Sequence, residues 1–138
     1  MVQSISEPKI ALQQIAVARD GATGWWNICW QLDNGGGDGL TIAAVQLPHG
    51  QFKSPIRHFT PPLDLAAGAS ERFQSLVQCH EPAGLVTENA FVIFHSQWRG
   101  EAWRIFVRIR VDVDAAGEPR TATELITTQK VGFSGISN

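Results

Sequence analysis

The chain has 138 residues, 43% of them hydrophobic and 17% charged, with a formal net charge of −2. That length suits one domain, which can bury roughly two-thirds of its unfolded surface without a disulfide or a metal, and the composition excludes a disordered chain. The slightly acidic balance argues against a domain whose main work is gripping nucleic acid, because such domains carry a clear basic excess.

The opening MVQSISEPKIAL has no basic stretch followed by an apolar run, so no signal peptide is read, and no apolar run is long enough to span a bilayer. A cytoplasmic protein is expected, with one β-sandwich domain over 1–138 and loose tails at 1–8 and 132–138.

Period-two alternation of apolar residues recurs along the chain, and no window holds a helical period. The first strand is read over Lys9 to Arg19, and the phase change among Ile10, Leu12, Ile15 and Val17 predicts a bulge. After a turn at Asp20 to Gly24, a strand over Trp25 to Leu32 turns Trp26, Ile28, Trp30 and Leu32 inward and Trp25 and Cys29 outward. An outward Trp25 would be a sugar platform or a partner anchor; the blander reading lays it under a neighbouring loop. The stretch DNGGGDG, Asp33 to Gly39, reads as a mobile loop of residues that tolerate positive φ. It does not fit the EF-hand calcium motif, since Gly35 and Gly37 fall where that loop alternates oxygen ligands.

Leu40 to Leu47 is the next strand, broken by Pro48-His49-Gly50. Gln51 to Leu65 reads as one or two short edge segments, because Pro55, Pro61 and Pro62 cannot donate to a ladder. A turn at Ala66 to Ser70 leads into a strand over Glu71 to Cys79, with Phe73, Val77 and Cys79 inward. One cysteine inward and one outward cannot form an inter-sheet disulfide, so free thiols in a reducing compartment are expected. Asn89 to Trp98 and Ala102 to Val113 form a hairpin, and after a turn at Asp114 to Pro119 the Thr-rich stretch Arg120 to Val131 is the last strand.

About eight strands with turns between them predict an all-β, antiparallel two-sheet sandwich, with an immunoglobulin-like topology favoured. No Trp follows Cys29 by a dozen residues, so the immunoglobulin sequence mark is missing and the fold implies no function.

The hairpin is the most informative stretch. Placing Trp98 opposite Trp103 puts Ser96, Phe94, Val92 and Ala90 opposite Ile105, Val107, Ile109 and Val111 on one oily face. The other face then pairs Gln97 with Arg104, His95 with Phe106, Ile93 with Arg108 and Phe91 with Arg110. The blander reading lays the arginine stems over the apolar groups, or covers the face with the last strand or the N-terminal segment. The sharper one is a contact surface, since interface cores favour aromatics and Arg over Lys. Phe91, Ile93, His95, Arg104, Phe106, Arg108 and Arg110 are therefore the candidate binding residues, for a protein partner or a second copy. The row Arg104, Arg108 and Arg110, spaced about 6–7 Å between i and i+2 neighbours, offers an alternative: an anionic ligand or nucleic acid, with Phe106 stacking a base.

A hydrolase-type enzyme is less favoured. GFSG at Gly132 to Gly135 lacks the nucleophile-elbow spacing and follows no strand-to-helix turn. Cys79 and His95 are on opposite faces, and Asp112 and Asp114 lie near a turn and read as solvated. His49, His58, His80 and His95 show no metal-ligand spacing, and adjacent Cys79 and His80 point apart. No catalytic residue, metal or cofactor is assigned, and the expectation is a non-catalytic interaction module.

Overall fold

The computed structural model describes residues 7–132. Eight strands carry the fold: β1 (Ile10–Arg19), β2 (Trp25–Asn34), β3 (Leu40–His49), β4 (Phe52–Leu65), β5 (Ser70–Gln78), β6 (Val86–Trp98), β7 (Glu101–Val113) and β8 (Pro119–Lys130). All pairings are antiparallel, and the described residues contain no helix. No helix is therefore long and apolar enough to cross a membrane.

The strands form one sheet in the order β1-β2-β5-β4-β3-β6-β7-β8, and its two ends approach each other. The result is a nearly closed barrel where two separate sheets were expected. The physical reason lies in β4, a single strand of 14 residues, not short edge pieces. It runs along β3 and also bridges to β5, joining what would be two sheets. Its prolines sit where the β3 ladder is already irregular: the register slips opposite Pro55 and again opposite Pro61 and Pro62. There a missing N–H breaks nothing. Strands β3, β4 and β5 follow one another side by side, with β2 beside β5 and β6 beside β3, so two Greek keys overlap.

Burial follows the alternation. Trp26, Ile28, Trp30 and Leu32 are buried from β2, and Phe73, Val77 and Cys79 from β5 and its end. The β7 set Trp103, Ile105, Val107, Ile109, Val111 and Val113 is buried as well. Phe59, Phe73 and Phe94 meet edge to face at 5.6 and 5.9 Å, tying β4, β5 and β6 together through the core. The β1 bulge lies at Ile15, where the register with β2 shifts. Cys29 and Cys79 are both free, half-buried and buried respectively.

Three expectations are corrected. The β6–β7 turn is the two-residue Arg99-Gly100, with φ of 51° and 74°, the backbone of a primed hairpin turn. Trp98 therefore pairs with Glu101, and the register differs by two residues from the one expected. A shift of two preserves the parity, so the same residues share each face; Trp98 and Trp103 still meet, 5.8 Å apart and edge to face. The Asp33 to Gly39 stretch is not simply a mobile loop. Asn34, 2% exposed, donates its side-chain amide to the carbonyls of Asp38 (2.9 Å) and Leu65 (3.0 Å), while its side-chain oxygen accepts from the Gly36 N–H (3.0 Å). Finally, the described end of the N-terminal tail is not loose: Pro8 is buried and the Glu7 carboxylate accepts a hydrogen bond from Thr128. The remaining tail residues, with Phe133 and most of GFSG, lie outside the described residues.

The barrel has two seams. Between β1 and β8, the Gln14 side chain donates to the Pro119 carbonyl (3.0 Å) and accepts from the Thr121 N–H (2.7 Å), as a neighbouring peptide group would. The Thr123 hydroxyl adds a bond to the Leu12 carbonyl at 3.1 Å. Between β4 and β5 there is one bridge, Lys53 with Gln78, and beyond it Arg57 Nη1 donates to the Gln74 carbonyl.

Candidate functional site

The seven candidate residues come together on the outer face of β6 and β7, with pairings that follow the corrected register. Phe91 pairs with Arg108, Ile93 with Phe106 and His95 with Arg104, while Arg110 pairs with Ala122 on β8. The next strand extends these rows, placing Leu125 beside Arg108, Thr127 beside Phe106 and Gln129 beside Arg104. Strand β8 thus flanks the face within the sheet and does not cover it. Phe91, Ile93, Phe106, His95, Arg104 and Arg108 are half-buried and Arg110 is exposed. Leu125, 48% exposed, widens the apolar strip. The arginine stems supply the partial cover of the apolar groups that their chemistry allows.

The charges on this face are of both signs. Arg108 Nε lies 3.9 Å from Glu124 Oε1, too far for a hydrogen bond, and this buried nitrogen has no other partner among the described residues. Arg110 Nε lies 3.2 Å from Asp112 Oδ1. Arg104 has no ion pair among the described residues. At its side, His95 Nε2 sits 2.6 Å from Gln46 Oε1. Desolvation first, then the charges of Arg104 and His58, lower the His95 pKa from its ordinary value. The imidazole is therefore neutral near pH 7, and its Nε2 hydrogen faces the amide oxygen, which can only accept.

Two other groups with shifted pKa values, Cys79 and Asp114, read as structural. Burial, and then the charge of Glu81, push the Cys79 thiol up to about 11, so it is no nucleophile at neutral pH. Asp114 organises the β7–β8 turn: its Oδ1 accepts from the Ala116 and Glu118 N–H groups at 2.9 Å each, and Oδ2 from Arg120 at 3.1 Å. The Glu118 N–H bond first, then the Arg120 side chain, lower its pKa. Among the described residues no three His, Cys, Asp or Glu side chains cluster as a metal site.

Trp25 is half-buried on the outer surface. It lines a groove beside the β4/β5 seam with Pro55, Ile56 and Leu76, which sequence reasoning did not single out. The signal was present for Leu76, which occupies the outward phase between Gln74 and Gln78. For Ile56 it was hidden, because the slip in β4 register decides which way that residue points. No model of a known protein family, no curated protein and no solved structure matches this chain.

Proposed function

We propose that the chain is a non-catalytic interaction module that self-associates through the outer face of the β6–β7 hairpin. The observation that carries this reading is the apolar set Phe91, Ile93, Phe106 and Leu125, interleaved with charges of both signs: Arg108, between Phe91 and Leu125, beside Glu124, and Arg110 beside Asp112. A face that mixes apolar groups with charges of both signs can meet its own image, because a two-fold axis can set each cation against a copy's carboxylate. The strand order, with β1, β2, β5 and β4 followed by β3, β6 and β7, supports an immunoglobulin-like topology extended by β8. Two free cysteines on opposite faces support a reducing, cytoplasmic setting.

Sedimentation velocity of the wild type and of Phe106→Glu tests the reading. A wild-type dimer at high concentration, lost in the variant, is the expected result; two monomers would end it. A second reading, anion binding by Arg104, Arg108 and Arg110, is favoured only by the unpaired Arg104. Retention on heparin at low salt that drops on Arg104→Ala is its expected signature, and weak retention unchanged by that substitution removes it.

A further inference from the structure

A second surface lies across the barrel from the hairpin's own pairings, at the β4/β5 seam. On one side β5 is paired with β2 from Ser70 to Gln78, and on the other it has the single bridge to Lys53. Because the Gln74 carbonyl meets Arg57 across the seam, the backbone of the even-numbered residues Arg72, Gln74 and Leu76 points into the opening. Outside it runs a groove of about 330 Å³ walled by Trp25, Pro55, Ile56 and Leu76. Ile56 and Leu76 are 44% and 46% exposed, high values for large apolar side chains on one patch.

One further observation points to a ligand. The rim is cationic: Lys53 and Arg57 line the groove system, and neither has a carboxylate within ion-pair distance among the described residues. The one acidic group there, Asp20, sits at the end near Asn27. A second copy docked about a two-fold axis here would oppose two patches that both carry Lys53 and Arg57 with only Asp20 to offset them, unlike the balanced hairpin face.

We propose that the β4/β5 opening is a docking groove for an extended segment of a partner protein in which a large apolar side chain is flanked by carboxylates. The apolar side chain seats on Trp25, Ile56 and Leu76, and the carboxylates meet Lys53 and Arg57. The recognition mode is strand addition to the β5 edge, in which backbone bonds supply affinity and alternate side chains supply selectivity. This proposal stands apart from self-association through the hairpin.

The probe is a capped nonapeptide of alternating Glu and Val with a central Leu, titrated calorimetrically into the full chain, beside the same peptide with Lys in place of every Glu. The acidic peptide is expected to bind one to one and at least about tenfold tighter than its lysine counterpart. Leu76→Glu and Lys53→Glu are each expected to weaken it by about tenfold or more. Phe106→Glu is expected to leave binding unchanged, which separates this groove from the hairpin surface. No binding by the acidic peptide, equal binding of both peptides, or binding that survives Leu76→Glu would each overturn the proposal. So would a wild-type dimer that Leu76→Glu, and not Phe106→Glu, dissociates.

Discussion

The two seams of the barrel are closed by different materials. At β1/β8 the gap is spanned by polar side chains standing in for backbone, with Gln14 bonded to both Pro119 and Thr121 and Thr123 to Leu12. At β4/β5 the strands are held from beneath, by the Phe59–Phe73 contact in the core, and only lightly at the surface, by the Lys53–Gln78 bridge and Arg57. Polar stitching satisfies the strand edges and leaves little for a partner to bond. Apolar anchoring from the core leaves backbone groups of β5 facing the opening and the side chains of Ile56 and Leu76 facing outward. Sealing and recognition are thus divided between the seams.

The largest effect is expected where the core does the holding. Phe59→Ala removes a buried ring from between β4 and β5, and should destabilise the fold by about 3–5 kcal/mol in urea unfolding. Gln14→Ala should cost less, about 1–3 kcal/mol, because it strips partners from the Pro119 carbonyl and the Thr121 N–H. Its distinguishing mark would be faster amide exchange at Thr121. If Gln14→Ala proved as damaging as Phe59→Ala, the two seams would not differ in kind.

Lowering the pH should separate the two sides of the molecule by a smaller margin. His95, beside His58 of β4, has a lowered folded-state pKa. The unfolded chain then binds the proton more readily, so this contribution is whole above about pH 6.5 and is lost as pH falls through the folded value. Asp114, which shapes the turn leading to Pro119, also has a lowered pKa. Its contribution persists until pH drops below the ordinary carboxylate range and through its own folded value. Mild acid should therefore loosen the outer contacts of β3, β4 and β6 first, and only stronger acid the β1/β8 side. A pH series of amide exchange checks this order, and loss of Thr121 protection before any change near His95 would contradict it.

The facing of the strands was legible in the sequence because it has only two values. Trp26, Ile28, Trp30 and Leu32, and the whole β7 set, declare it by alternation, and the hairpin faces held even though the pairing moved by two residues. The turn length was not legible, since Arg99 at positive φ carries no signal in its identity. Closure into a barrel was not legible either. It depends on β4 continuing past Pro55, Pro61 and Pro62, and only the distant partners β3 and β5 decide that. The candidate hairpin face was readable for the same reason as the core. The β4/β5 groove was not, because it arises from a place where pairing fails.

The smallest change in stability is the sharpest probe of that failure. Arg57→Ala should alter global stability by no more than about 0.5 kcal/mol, because the side chain is exposed. Amide exchange along β5 should nevertheless alternate in both proteins. Glu71, Phe73, Ser75 and Val77 face β2 and should be slow, while Arg72, Gln74 and Leu76 face the opening and should be fast. The Thr121 amide on the other seam should stay slow, because it donates to the Gln14 side chain of β1. Uniform protection along β5 would mean that the second seam is sealed like the first, and the docking groove would lose the strand edge on which it depends.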